Sequence, residues 1–420
     1  MSKFTKLEKQ WILYDVGNSA FTMLVSTIIP IYFKNIATTA GISQSNSTAY
    51  WGYAMSLGTI IVAILGPMLG TLADTKGYKK PLFSLFMMLG VISCASLSLP
   101  IPWIIFLAIF VLGRVGFSGS LIFYDSMLND ITTDDRMDNV SSQGFAWGYI
   151  GSCIPFTISL LLILFAGKIG VSTPMATGMA FLLTALWWFL ITVPLLKNYK
   201  QKYYVEKSEK PVADSFKRLG KVLLNIRKQK KIFLFLIAFF FYIDGVNTII
   251  GMATSYGKDV GISDNNLLLA LLLTQVVAFP CAILFGKLSK KFRTEKLIAT
   301  CILGYTLITI FALQLDKAWE FWMLAVCIAV FQGAIQALSR SYYSKIIPKE
   351  KSSEYFGFYD IFGKGAAFMG TMLVSISTQL SGSSKVGVGV IAIMFVIGLV
   401  VFKMATKDNI VADSKTSTSI

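Results

Sequence analysis

A chain of 420 residues that is 55% hydrophobic and 14% charged, with a mean hydropathy of +0.66, is too apolar for a water-soluble protein of its size. Its formal charge of +16 would suit a nucleic-acid binder, but the basic residues gather in alternate loops between apolar runs, the pattern that orients a membrane protein, and no nucleic acid is called for. With no histidine at all there can be no histidine triad, His-ligated metal or histidine relay, and no Walker-type loop is present, so neither an enzyme nor a metal or cofactor is expected.

Apolar runs predict twelve membrane helices, at 9–36, 50–73, 81–99, 101–128, 140–167, 174–196, 231–256, 264–287, 295–315, 319–345, 355–380 and 385–406. This is an all-α polytopic membrane protein of two six-helix bundles, 1–196 and 231–406, joined by a basic linker over 197–230 and followed by a polar, disordered tail over 407–420. An even helix count puts both termini on one side, and Lys76, Lys79, Lys80, Lys290, Lys291 and Arg293 make that side cytoplasmic. The polar start, Met1–Gln10, precedes an apolar run that lacks a signal-peptide cleavage site, so the first helix is retained. All five cysteines sit in apolar runs without CxxC spacing and read as packing residues.

On helix 1, Asp15, Asn18, Ser19 and Ser26 fall within about a quarter-turn of one another, a polar stripe on an apolar helix. The spacing returns on helix 7 as Asp244, Asn247, Thr248 and Ser255, each 229 positions later, which points to a duplicated bundle. A carboxylate so placed either faces a wet interior and works there, or helps hydroxyl and amide groups glue neighbouring helices.

After helix 2 comes Gly70-Thr-Leu72-Ala73-Asp74-Thr-Lys-Gly77-Tyr-Lys79-Lys80, whose glycines permit a tight turn and a close helix approach, and whose Asp74 can accept from basic groups or a helix N-terminus. A weaker copy at Gly286-Lys-Leu288-Ser-Lys290 puts lysine where Asp74 stands, so the second half is expected to lack this latch. Arg114, Ser118 and Asp125 share a face of helix 4, with Arg114 and Asp125 about 16 Å apart, too far to pair with each other. Arg114 either clamps a substrate carboxylate or forms a permanent bridge to Asp15 or another intramembrane acid. The loop Asp130–Asn139 is acidic and says little about orientation.

In the linker, Val212, Phe216, Leu219, Leu223 and Ile226 recur at helical spacing among Lys217, Arg218, Lys221, Arg227 and Lys228, which reads either as an interfacial helix on anionic lipid or as a solvated charged stretch. Helix 10 presents Gln332, Gln336, Ser339, Arg340 and Tyr343 on one face, with Arg340 as suited to a gate or headgroup contact as to a substrate. Asp360 and Lys364, one turn apart, are placed to pair. Without histidine, any proton coupling falls to carboxyl groups that desolvation can bring into the working range: Asp244 first, then Asp15 and Asp125.

The loop after helix 2 resembles the cytoplasmic signature of the major facilitator superfamily, G-x-L-A-D-R-x-G-R-K, with Thr75 departing from the usual arginine. Four further segments are similar to one branch of it, the vacuole-effluxer-like family of fungal autophagy-related amino-acid exporters and bacterial permeases. They are Trp11-x-x-Tyr14-Asp15-x-x-Asn18-Ser19-Ala20-Phe21, Phe123-Tyr124-Asp125, Gly144-Phe145-Ala146-x-Gly148-Tyr149-Ile150-Gly151 and Gln336-Ala-Leu-Ser-Arg340-Ser341. Gly17 and Thr371 are minor departures.

That resemblance implies a monomeric alternating-access transporter in the bilayer of a bacterial plasma membrane, exporting a small molecule such as an amino acid, with helices 1, 4, 7 and 10 around a central cavity. Substrate contacts would then fall to Asn18, Ser19, Arg114, Tyr124, Asn247, Thr248, Gln332, Gln336 and Arg340, and gating to Gly70, Asp74, Gly77, Lys79 and Lys80. Two other readings stay open: an exporter of amphipathic drugs or lipid-like molecules, and a non-transporting receptor or assembly factor.

Overall fold

The computed structural model describes residues 4–206, 228–259, 264–315, 317–382 and 384–416, and over them the chain is almost wholly helical, with twelve helices long and apolar enough to cross a membrane. They are α1 (Lys6–Thr39), α2 (Gln44–Ala73), α3 (Lys79–Ser96), α4 (Trp103–Ile131), α5 (Asp134–Leu164), α6 (Thr173–Asn198), α7 (Lys230–Asp259), α8 (Asp264–Leu288), α9 (Thr294–Ala312), α10 (Ala318–Ile346), α11 (Ser352–Ser381) and α12 (Ser384–Thr416). Ile31, Leu57, Ile64, Leu161 and Leu190 lie on their outer surfaces, exposed where a water-soluble fold would bury them, as a hydrocarbon solvent requires.

Local chemistry explains the start of α1 and the break within it. A capping box starts α1: the Thr5 hydroxyl accepts from the Glu8 amide at 3.1 Å while the Glu8 carboxylate accepts from the Thr5 amide at 2.7 Å. The helix is interrupted at Thr27 (φ −134°, ψ −73°), because the Pro30 ring would collide with the Ser26 carbonyl one turn earlier. Ser26 is therefore exposed beside the break, its hydroxyl on the Thr22 carbonyl at 2.9 Å, and the expected polar stripe stops short of it.

Two other expectations change. Little of the acidic stretch after α4 is loop: α4 runs to Ile131 and α5 begins at Asp134, where Asp134 and Asp135 meet the positive end of the helix. The tail expected to be disordered continues α12 as helix to Thr416. The linker residues expected to form an interfacial helix, 212–226, lie outside the described residues.

Two compact units make up the chain. The first contains Met1–Thr132, Trp147–Pro211 and Lys349–Gly357, the second Thr133–Ala146, Val212–Pro348 and Phe358–Ile420, so the leading turns of α11 pack with the first half of the sequence and those of α5 with the second. Within the first unit the main pairings are α1 with α6, α2 with α4, and α3 with both α4 and α6. Within the second, α7 pairs with α12, α8 with α10, and α9 with both α10 and α12. The scheme is one scheme displaced by six helices. Each unit also joins its first and fourth helices by a buried hydroxyl pair at 2.7 Å, Tyr14 with Ser120 and Tyr242 with Ser339.

Small residues permit the tightest crossings. A Cβ on Gly116 of α4 would stand 2.3 Å from the Gly90 nitrogen of α3, and one on Gly90 would stand 2.4 Å from the Trp188 ring of α6. Gly116→Ala must displace backbone, so we expect it to destabilise the fold by about 2 kcal/mol in thermal melts. Gly52→Ala, with nothing within 4 Å of its new methyl, should leave the melting temperature unchanged or slightly raised.

Candidate functional site

In the second unit, Asp244 sits halfway along α7 with 0% of its surface exposed. Its Oδ1 accepts from the Gly370 amide of α11 at 3.1 Å and from the Thr248 hydroxyl at 3.3 Å, whereas Oδ2 meets no hydrogen-bond donor among the described residues. No ion pair to it is found there either, which leaves a carboxyl with one oxygen held and one open. Gly370 is what lets α11 come so near: a Cβ would lie 2.3 Å from Thr248 Oγ1 and 2.5 Å from Asp244 Oδ1. Asn247, half-buried, donates to the Gly363 carbonyl at 3.4 Å. The side chain of Ser255 lies outside the described residues.

The copy in the first unit has different neighbours. Asp15 and Asn18 are buried, and Asn18 Nδ2 meets no acceptor among the described residues. Ser19 is half-buried where α5 crosses α1 at Gly148, whose Cβ would come within 2.8 Å of the serine oxygen. On α4, Arg114 is half-buried with its stem against Gly58 of α2, where an added Cβ would be 3.1 Å away. Asp125 is also half-buried.

Tyr124 is engaged in packing rather than presented to a solute. Its ring stacks on Trp11 with centroids 4.4 Å apart, its hydroxyl donates to the Trp11 carbonyl at 3.1 Å, and Trp11 Nε1 donates back to the Tyr124 carbonyl at 3.0 Å. On α10, Gln332 is buried and Gln336 half-buried. Arg340, for which the sequence left a gate contact and a substrate contact open, is anchored to the leading turns of α5. Its Nε donates to Ser141 Oγ at 2.9 Å, Nη2 to the Ser141 carbonyl at 3.1 Å, and its guanidinium lies 4.4 Å from the centre of the Phe145 ring.

The loop after α2 carries a polar cluster. Both Asp74 oxygens accept from the first turn of α11, Oδ1 from the Ser353 amide at 2.8 Å and Oδ2 from the Glu354 amide at 2.9 Å, a carboxylate on a helix N-terminus. Gly70 allows the contact, since a Cβ there would lie 2.4 Å from the Ser353 carbonyl oxygen, and Gly77 turns the loop at φ +82°. Lys79 is wholly buried and reaches Asp130 Oδ2 at 3.1 Å and Ser352 Oγ at 3.0 Å, while Lys80 is half-buried. Burial outweighs the attraction of Lys79 and the two amides and pushes the Asp74 carboxyl up to about 7, with the neighbouring Glu354 adding to the rise. Tyr199, whose hydroxyl donates to Asp130 Oδ2 at 2.5 Å, is raised well above its usual range by burial and by the Asp130 charge, so it stays a donor.

Asp130 and Asp138 escaped the sequence reading, which took their stretch for an acidic loop. Acids on the side that positive-inside topology makes basic were the available signal. In the second unit Asp138 receives Ser341 at 2.6 Å, Thr294 at 2.6 Å and Lys345 at 2.7 Å. There the glycine of the loop motif keeps its role, as a Cβ on Gly286 would be 2.7 Å from Ser142 Cβ of the arriving α5, but Lys290 is exposed. The carboxylate comes from the incoming helix rather than from the loop.

The profile of the family described as "Vacuole effluxer Atg22 like" matches residues 5–413. The MFS-type transporter YxiO of Bacillus subtilis (strain 168) is 45% identical over 414 residues, 97% of this chain and 96% of that protein. Autophagy-related protein 22-1 of Aspergillus niger is 25% identical over 62% of this chain and 46% of its own length. Among solved structures, the major facilitator transporter FucP in its outward conformation superposes with a TM-score of 0.72 at 13% identity, covering 95% of this chain and 97% of that one. The human organic anion transporter MFSD10 gives 0.71 at 12%, covering 94% and 99%. These two likenesses concern the fold.

The Asp74 carboxyl fixes a pH dependence. Its folded value lies above its ordinary one near 4, so its contribution is fully present below about pH 4 and is lost as the pH rises through about 7. In thermal melts between pH 5.5 and 8.5, the wild type should lose about 2 kcal/mol relative to Asp74→Asn, which cannot titrate. Parallel curves would contradict the assignment.

Proposed function

The chain belongs to the vacuole effluxer Atg22-like family of the major facilitator superfamily, and from that membership we propose that it is an alternating-access transporter that exports a small polar or zwitterionic solute, an amino acid, with proton coupling through Asp244. The observation that carries the coupling is the Asp244 site: a fully buried carboxyl in the middle of a membrane helix, with one oxygen fixed by Gly370 and Thr248 and the other without a donor among the described residues. A permanent structural aspartate would have both oxygens answered. A carboxyl that exchanges a proton needs one oxygen open, and Thr248 and the Gly370 amide hold the other still while it does so.

Arg114 is the proposed anchor for the solute carboxylate, because a guanidinium offers two parallel donors to a carboxylate and here it lies half-buried on a membrane helix. Asn18 and Ser19, in the same unit as Arg114, supply neutral donors and acceptors for the rest of a polar solute. Asp74 on the α11 N-terminus acts as a clasp, and releasing Ser353 and Glu354 from it is the step that frees α11. Basic residues at the loops after α2 and α8 orient the chain with both termini in the cytoplasm.

Proteoliposomes loaded with labelled amino acids test the reading. At least one amino acid should leave faster than from empty liposomes, and an imposed pH gradient should accelerate it. Asp244→Asn should remove that acceleration while leaving solute exchange, and Arg114→Ala should raise the half-saturating concentration about tenfold or more, as expected for loss of a charged hydrogen bond. Flux of every amino acid equal to that of empty liposomes would sink the proposal.

A further inference from the structure

We propose that the peptide following α6, Tyr199–Glu206, is a strap that positions the Asp74 clasp, with Tyr199 and Gln201 as its positioning residues, so that the start of the central linker sets how readily α11 is released. The inference rests on the clasp proposed above and adds an element that the loop motif does not contain.

The strap meets the clasp at three levels. Asp130 accepts four donors, of which one is the Lys79 ammonium and three come from the strap: the Tyr199 hydroxyl at 2.5 Å, the Lys202 amide at 3.1 Å and the Tyr203 amide at 2.9 Å. Asp130 thus fixes Lys79, which in turn reaches Ser352 Oγ beside the two clasp amides. The Gln201 side chain then bridges the turn itself, donating to the Ala73 carbonyl at 3.1 Å and accepting from the Gly77 amide at 3.0 Å. Finally, the strap backbone pairs with the loop as a short β-bridge, Val205 N donating to the Asp74 carbonyl at 2.7 Å and Lys76 N to the Val205 carbonyl at 3.0 Å. The Lys349 ammonium, 5.7 Å above the Tyr203 ring, carries the contact on to the turn that leads into α11.

A connecting segment that served only to join two halves would send its backbone groups to water. Here they go to Asp130 and to the peptide units on either side of Thr75. Tyr199 and Gln201 bond Asp130 and the carbonyls of Ala73 and Asp74, not the Asp74 carboxylate or the Ser353 and Glu354 amides, so the two hydrogen bonds of the clasp itself remain when either side chain is removed.

Hydrogen exchange of the Ser353 and Glu354 amides reads the clasp, because these are the groups Asp74 holds. With the full chain in lipid nanodiscs at one pH, Tyr199→Phe and Gln201→Ala should each speed exchange in a peptide covering 349–357, Tyr199→Phe by about tenfold because it deletes a hydrogen bond to a charged group. Exchange over residues 88–96 of α3, beyond the turn that carries Lys79, should not change. Unaltered exchange at 353 and 354 in both variants would overturn the strap, and so would an equal rise over 88–96, which would mean general loosening. Should Tyr199→Phe fail to fold, Gln201→Ala alone decides. No solute is needed, so a failed flux screen leaves this result standing, and unaltered exchange beside a successful screen removes the strap alone.

Discussion

A charge taken out of water must be met within hydrogen-bond reach, and in a chain that crosses hydrocarbon twelve times this governs where every ionised group can sit. Asp130 is met by Lys79, Tyr199 and two amides, Asp74 by two amides of a helix end, Asp138 by a lysine and two hydroxyls. These clusters join elements far apart in sequence, and Asp74 and Ser353 are separated by most of the chain. They account for why the leading turns of α11 and α5 pack with the opposite half of the sequence. Asp244 is the contrast, since its Oδ2 meets no donor among the described residues, and that difference is the ground on which it is proposed as the proton carrier.

Duplication explains the scaffold and divergence explains the sites. The same pairing scheme among six helices occurs in both units, with the same hydroxyl pair between first and fourth helices and the same close-approach glycine at 70 and 286. Packing of that kind depends on small residues and shape, so both copies keep it. Charged groups are individually placed, and there the copies part. The first unit carries its carboxylate on the loop, the second on the arriving helix, and the stripe aspartate Asp244 accepts from the Gly370 amide.

Much of this was legible in the sequence. Hydropathy alone placed twelve helices, because hydrocarbon thickness imposes both length and composition, and the loop glycines and Asp74 stood out, with basic groups and a helix N-terminus both open as partners of Asp74. Position 340 stayed open between gate and solute for a physical reason: an arginine on a polar helix face looks the same whether it meets a solute or the carbonyl of Ser141 on another helix. The break at Thr27 was written in Pro30 and overlooked, since an apolar run conceals a break in its hydrogen-bond ladder.

Sequence by itself determined what belongs in the membrane, how many times the chain crosses, that its halves are copies and which family it resembles. These follow from composition and local spacing, which act over a few turns of helix. Only the tertiary structure decided which carboxylates are fully met and which are not, that Tyr124 and Arg340 are anchored, and that Tyr199–Glu206 lies along the loop after α2 instead of running free. Partners separated by up to about two hundred and eighty positions are brought together by close packing of helices, and no pattern along the chain encodes that distance.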